Sequence, residues 1–176
     1  MRLSFVLIFS LFLSACSTTY ENKDVLGTVI PDMEGETLEK ERVEIPSLFQ
    51  GSSALLLVGY KQDSQFDIDR WLIALDMTQT KVNAYEIPAI QGMFPRMFKP
   101  FINNGMRAGI PKELWKGVIT LYKDGEAMQK YTGNENGNNA RVLLIDDKGQ
   151  VKYFYDRGFS VEALNNVRKL IESSTK

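Results

Sequence analysis

The pattern of apolar and polar positions divides the chain into predicted strands and helices. Residues 53–59 form a continuous apolar segment of strand length, which is typical of a central strand covered on both faces. Apolar residues then recur at helical spacing from Ile68 to Leu75, and Asp63 or Ser64 can cap this helix. This part of the chain therefore predicts a strand followed by an amphipathic helix.

The rest of the chain continues the alternation. Further strands are predicted at residues 81–87, 117–122, 140–145 and 150–155, the last two joined by a tight turn. Residues 95–107 predict one helix, or two short ones divided at Pro100. Ser160 can cap a closing helix. The inner face of that helix is predicted to be Val161, Leu164, Val167 and Ile171.

This order of elements predicts the fold class. Strands that alternate with helices imply a mainly parallel sheet with helices on both faces, and a final hairpin adds antiparallel edges. We therefore expect an α/β protein with three layers, α/β/α. Its mixed central sheet ends in a β-hairpin and a C-terminal helix.

The first residues follow a different pattern. Arg2 is the only charge before Cys16, and residues 3–15 are almost wholly apolar but shorter than the roughly 20 residues of a membrane-spanning helix. A basic start, a short apolar segment and small residues at its end are typical of a secretory signal. The sequence LSAC at residues 13–16 resembles the lipobox of bacterial lipoproteins.

This resemblance implies cleavage before Cys16, a diacylglycerol on its thiol and, in many species, a third acyl chain on the new amine. Two or more acyl chains suffice for stable anchoring. Ser17 at the next position implies the inner leaflet of the outer membrane, facing the periplasm. Residues 1–15 are thus predicted to be a lipoprotein signal peptide, residues 16–24 a lipidated tether and residues 25–176 a domain.

Composition excludes several classes of chemistry. The chain has one Cys and no His. Once Cys16 is lipidated, no thiol remains for a disulfide, for catalysis or for a metal, and Ser-His catalysis and His-ligated zinc are excluded as well. With 21 basic and 22 acidic side chains, the chain has no positive surplus to hold nucleic acid. No cofactor and no metal are predicted.

Several segments, in their order along the chain, resemble the thioredoxin-like fold, specifically its peroxiredoxin and TlpA-like branch. They are GTVIPDMEGETL (27–38), LFQGSSALLLVGY (48–60), YKDGEAMQKYTG (122–133) and RVLLIDDKGQVKYFY (141–155). The last of them, continued to Gly158, is also similar to the C-terminal half of the mitochondrial ATP synthase assembly-factor family. The resemblance implies a thioredoxin-like domain over residues 25–176.

The sequence departs from those families at the redox site. The redox families place a catalytic Cys just after the first core strand, whereas residues 61–66 here are KQDSQF. Peroxiredoxins place an Arg six residues before the Asp of the hairpin turn. Here Arg141 is five residues before Asp146, not six, so the role of the peroxiredoxin arginine is not transferred to it. Because fold and nucleophile are separable, we predict a thioredoxin-like domain without redox chemistry.

Two groups of residues are candidates for function. Asp63, Ser64 and Asp67 lie where the redox site would be, so their side chains could work as acid and base or bind a metal in a cleft near residues 63–69. Negative charge there also suits the N-terminal end of a helix. The second group, in residues 92–106, is Met93, Phe94, Arg96, Met97, Phe98 and Phe101.

Three interpretations of residues 92–106 stay open. The segment is rich in Met and Phe, is basic and contains no acid. It suits a cover helix on the sheet, an adaptable surface for a protein partner, or a contact with an anionic membrane.

The sequence as a whole predicts a lipid-anchored, redox-inactive binding or assembly module of the bacterial cell envelope. It would contact the membrane through the lipid on Cys16 and would bind an envelope protein. We favour a protein without catalytic activity. The alternative is a non-thiol enzyme or a small-ligand-binding protein that uses the cleft near residues 63–69.

Overall fold

The computed structural model describes residues 18–174, without the side chains of Phe94 and Ser174. The predicted signal peptide and Cys16 lie outside the described residues. The strands are β1 (Met33–Thr37), β2 (Arg42–Ile45), β3 (Ala54–Gly59), β4 (Asn83–Pro88), β5 (Ile119–Thr120), β6 (Arg141–Ile145) and β7 (Val151–Tyr155). The α-helices are α1 (Gln65–Met77), α2 (Met93–Met97), α3 (Lys99–Gly109), α4 (Gly125–Thr132) and α5 (Val161–Ser174). Short 3₁₀ helices cover Ser47–Phe49, Gln62–Ser64 and Lys112–Gly117.

β3 and β6 form the centre of a four-stranded mixed sheet with the order β4-β3-β6-β7. β4 pairs with β3 in parallel, and β6 pairs antiparallel with both β3 and β7. A second, antiparallel sheet has the order β2-β1-β5, and isolated bridges such as Ala89–Leu121 connect the β5 region to that of β4. Every residue of β3 and β6 is buried, as expected for strands covered on both faces.

Apolar side chains cover both faces of the four-stranded sheet. Leu57 of β3 belongs to a cluster with Trp71 of α1 and Val167 of α5. Its neighbour Leu56 points to the other face, where the cluster includes Met128 of α4. The predicted three-layer arrangement is therefore present. Within residues 18–174, no helix has both the length and the apolar character required to cross a bilayer.

Apolar periodicity predicts most of the core elements correctly. β3, α1, β4, β6, β7 and α5 lie within a few residues of their predicted positions, and two short helices occupy the region around Pro100. In α5, Val161 is 65% exposed although it was expected on the inner face, and Ala163 is buried instead. The periodicity does not predict α4, because its buried face has Gly125 and polar side chains beside a single Met.

Residues 18–24, predicted to be part of a tether, lie against the domain. The Tyr20 N–H donates to Oδ1 of Asn134 (2.6 Å), and the Asn134 N–H donates back to the Tyr20 carbonyl (2.9 Å). Gly133 has a φ of +78°, and the backbone of Asn22 occupies the place where a Cβ would lie. This segment is therefore attached to the end of α4.

Candidate functional site

A cleft of about 640 Å³ opens at the carboxyl ends of β3 and β4. Tyr60 and Lys61 come directly after β3, and Gln91 comes shortly after β4; all three line the cleft. Residues of α2 and the loop before it, of α4 and the loop after it, and of the N-terminal segment complete the lining. Open α/β sheets commonly bind ligands at the carboxyl ends of their strands. The sequence resemblance places the catalytic Cys of the redox families in the same region.

A buried arginine contacts Tyr60, one of the residues that line the cleft. Arg141 of β6 is fully buried, and its guanidinium lies over the Tyr60 ring at 4.9 Å. It donates from Nη1 to the carbonyls of Asn136 (2.5 Å) and Asn139 (2.9 Å), and from Nη2 to Oδ1 of Asn22 (3.0 Å). Burial lowers the pKa of Arg141, but a guanidinium stays protonated. Burial also raises the pKa of Tyr60 to about 12, so Tyr60 is a neutral phenol at pH 7.

Side-chain amides form one wall of the cleft. Gln129 of α4 donates to the Ala89 carbonyl (2.9 Å) and accepts from Nδ2 of Asn134 (2.6 Å). Asn134 and Gln91 both donate to the carbonyl of Thr18, at 3.0 and 3.3 Å. These amide groups therefore hold the N-terminal segment against the domain.

The predicted cleft residues Asp63, Ser64 and Asp67 are not part of this lining. Asp63 is exposed, and Ser64 is buried with its hydroxyl donating to the carbonyl three residues before it (2.6 Å). Asp67 is 5% exposed, and its carboxylate accepts the N–H groups of Ala140 (2.9 Å) and Phe159 (2.6 Å). Asp67 therefore has a structural role. Within residues 18–174, no cluster of three or more acidic side chains is arranged to hold a metal ion.

Several of the predicted partner-binding residues form an exposed apolar surface. They are Met93, Met97, Phe98 and Phe101, and we call these four residues the Met–Phe surface. The exposed fraction is 72–79% for three of them and 46% for Phe98. Arg96 lies beside them and donates from Nη2 to the Lys123 carbonyl (3.0 Å). The side chain of Phe94 lies outside the described part of the structure.

The orientation of α3 explains the exposure of Phe101, because polar side chains of the helix are turned toward the protein. Lys99, Asn103 and Arg107 share one helix face. Lys99 and Asn103 both donate to the Glu36 carboxylate of β1 (2.6 and 3.2 Å), and Nε of Arg107 donates to a backbone carbonyl just after β1 (2.7 Å). Asn103 also accepts the Tyr122 hydroxyl (2.7 Å). A cover helix would turn its apolar side inward, so that interpretation of the segment is wrong for these side chains.

Sequence reasoning did not identify Arg141, Gln129 or Asn134 as part of this region. Arg141 has a recognisable signal, because it is the only polar residue of the strand RVLLI, whose composition indicates burial. Gln129 and Asn134 have no such signal. They belong to α4 and the loop after it, where no apolar periodicity marks the inner face.

Comparisons with known proteins give the fold. No protein-family model matches the sequence, and no curated protein matches it. A thiol peroxidase from Chromobacterium violaceum matches with a TM-score of 0.59 at 14% identity, over 90% of this chain and 91% of its own. BsSco, a member of the Sco family of cytochrome c oxidase assembly proteins, matches with a TM-score of 0.61 at 13% identity, over 89% and 98%. The exposed lipoprotein thioredoxin of Streptococcus pneumoniae strain TIGR4 matches with a TM-score of 0.53 at 11% identity, over 80% of this chain and 99% of its own.

At such low identities these likenesses concern the fold alone. They confirm the predicted α/β thioredoxin-like fold with a mixed sheet and a C-terminal helix. The single cysteine of the sequence cannot form an intramolecular redox pair. The chain therefore has the thioredoxin-like fold that peroxiredoxins, Sco proteins and TlpA-like proteins share, without a pair of redox cysteines.

Proposed function

We propose that this protein is a lipid-anchored, redox-inactive binding or assembly module of the bacterial cell envelope. The observation that supports the proposal is the composition of the cleft at the carboxyl ends of β3 and β4. Within residues 18–174 it is lined by Tyr60, Lys61, side-chain amides and the carboxylates of Glu126 and Glu135, and none of these lining residues is a Cys. Thioredoxin-type chemistry needs a thiolate at such a site. A cleft of this composition acts by contact, through hydrogen bonds and apolar surface.

The anchor is the first part of the proposal. The chain's one thiol belongs to Cys16, at the end of the lipobox-like sequence. Mass spectrometry of the protein purified from membranes should show acyl groups on an N-terminal Cys16, and Cys16→Ser should abolish them. Ser17 implies the outer membrane, so Ser17→Asp should move the protein to inner-membrane fractions. A soluble wild-type protein cleaved at another position would contradict the anchor.

Binding of an envelope protein is the second part. A photo-crosslinking amino acid at Lys61, in the cleft, should trap a defined partner in intact cells. The same group at Met77, which is 79% exposed on α1, is the matched control. Mass spectrometry would identify the trapped proteins. Equal, non-selective products at both positions would argue against a specific partner at the cleft.

The absence of redox chemistry is the third part. The full-length protein should show the rate of buffer in insulin-reduction and peroxide-consumption assays. Turnover that persists in Cys16→Ser would identify a contaminant or a chemistry without thiols. Turnover that disappears in this variant would show that Cys16 is a reacting group and not an anchor.

A further inference from the structure

We infer that the Met–Phe surface lies in the headgroup region of the bilayer to which Cys16 is anchored. The inference rests on the proposed lipid anchor and names the occupant of the Met–Phe surface as a lipid surface. It means that α2 and α3 form a second membrane contact, which gives the domain one orientation on the membrane.

The first argument is the construction of α3. Lys99, Asn103 and Arg107 point inward and are held by Glu36 and by backbone just after β1. Phe101 of the same helix is 79% exposed. Met93 and Met97 lie one turn apart on α2, and Phe101 lies in the first turn of α3, so exposed apolar side chains are found on both helices. Apolar side chains on the outside of a helix with a polar opposite side are the arrangement of helices that lie in a membrane interface.

The second argument is the position of the anchor. The carbonyl of Thr18 is hydrogen-bonded to Gln91, two residues before Met93, and both Thr18 and Met93 line the cleft. Cys16 is two residues before Thr18, and an extended chain spans at most about 3.6 Å per residue. The Cα of Cys16 therefore lies within about 7 Å of that of Thr18. Acyl chains on Cys16 would therefore enter the bilayer near Met93, at one end of the Met–Phe surface.

The third argument is charge. Residues 92–110 contain no acidic residue. Of their three basic side chains, Lys99 and Arg107 are turned toward Glu36 and toward backbone, and Arg96 is the one at the surface. Arg96 is exposed and contacts the backbone of Lys123, whose side chain is 70% exposed and whose ammonium pairs with Glu34 at 3.7 Å. Basic groups beside exposed aromatic and Met side chains complement anionic lipid headgroups. The anchor distance favours the bilayer over a protein partner, because a protein would have to fit between this surface and the membrane that holds Cys16.

A single introduced thiol tests the inference in the full-length protein, since an acylated Cys16 leaves no other thiol to label. Phe101→Cys places the thiol on the Met–Phe surface. Phe66→Cys is the matched control, because Phe66 is 69% exposed on α1, which packs against the face of the four-stranded sheet opposite to α4. Each variant is labelled with an environment-sensitive nitrobenzoxadiazole dye and reconstituted into vesicles of phosphatidylethanolamine and phosphatidylglycerol. Urea melts should show that both variants fold like the wild type.

In vesicles the dye on Phe101→Cys should emit at a shorter wavelength than in detergent-free buffer. Spin-labelled lipid should quench this dye at least about three times as strongly as the dye on Phe66→Cys. Equal, water-like emission at both positions would overturn the inference and leave the anchor intact. A dye that is water-like in vesicles but shielded in native envelope preparations would show a protein on the surface, which also overturns it. Labelling of the wild type would reveal a free Cys16, and the anchor and the inference would then fail together.

Discussion

Asp67→Ala is the substitution for which the structure makes the sharpest prediction. The Asp67 carboxylate accepts the backbone N–H groups of Ala140, just before β6, and of Phe159, just before α5. Asp67 is 5% exposed, so water cannot readily replace it. The substitution leaves two backbone donors in the interior without their acceptor and separates three elements that the carboxylate joins.

The magnitude follows from those two hydrogen bonds. A hydrogen bond to a charged group contributes about 1.5–3 kcal/mol, and a buried donor left without a partner costs a similar amount. The two bonds share one carboxylate, so their contributions are not fully additive. We expect Asp67→Ala to lower the free energy of unfolding by about 3–5 kcal/mol. Asp67→Asn keeps one acceptor oxygen but turns an NH₂ group toward the other donor, so about 2 kcal/mol is expected.

Urea unfolding of the full-length protein, followed by circular dichroism, measures the effect. Asp63→Ala is the matched control, because Asp63 is exposed and lies just before the same helix. An exposed substitution should change the free energy of unfolding by no more than about 0.5 kcal/mol. If Asp67→Ala were as stable as the control, the structural role would be refuted. Loss of partner crosslinks at unchanged stability would instead favour the functional role that the sequence suggested for this carboxylate.

Further predictions concern other buried groups. Burial raises the pKa of Glu86, so its charged form destabilises the folded state at pH values above that pKa. Glu86→Gln should therefore raise the urea midpoint at pH 7 but hardly change it at pH values below about 4, where the carboxyl is protonated. A gain in the urea midpoint that is independent of pH would contradict this. Arg141→Met removes the donor to two loop carbonyls and the cation over Tyr60, so it should lower the free energy of unfolding in urea by about 3 kcal/mol. A decrease of less than about 1 kcal/mol would contradict the stabilising role of the guanidinium. Gly133→Ala forces a Cβ against the N-terminal segment at a φ of +78° and should cost about 1–3 kcal/mol, while Gly105→Ala, in open space on α3, should be neutral or slightly stabilising.

The sequence predicted those parts of the fold whose structure is set by burial of apolar side chains. β3 is a continuous apolar segment, and β6 is one apart from Arg141; both are buried. In α1 the apolar side chains at helical spacing, among them Trp71, are buried as the pattern predicts. α4 could not be predicted in this way. It contacts the core through Met128 and otherwise through Gly125 and polar side chains, and a helix packed by close backbone approach and amide hydrogen bonds has no apolar stripe.

The candidate site was harder to predict than the fold. The pattern of α3 predicts a helix with an apolar and a polar side, but it does not say which side faces the sheet. That choice depends on Glu36, far away in the sequence, which accepts hydrogen bonds from Lys99 and Asn103. Asp67 shows the same limit, because its donors, Ala140 and Phe159, come from distant parts of the chain.

The N-terminal segment determines whether a lipid anchor can also orient the domain. A flexible tether would let the domain rotate freely beneath its acyl chains. A segment hydrogen-bonded to Asn134 from Thr18 onward instead leaves only Ser17 between the bonded segment and Cys16. Gly133→Ala tests this link, because its Cβ would displace the segment without altering Cys16 or the Met–Phe surface. In a Phe101→Cys background the variant should remain bound to vesicles, while spin-labelled lipid quenches the Phe101 dye less strongly. Unchanged quenching would mean that the Met–Phe surface holds the membrane without help from the fixed segment.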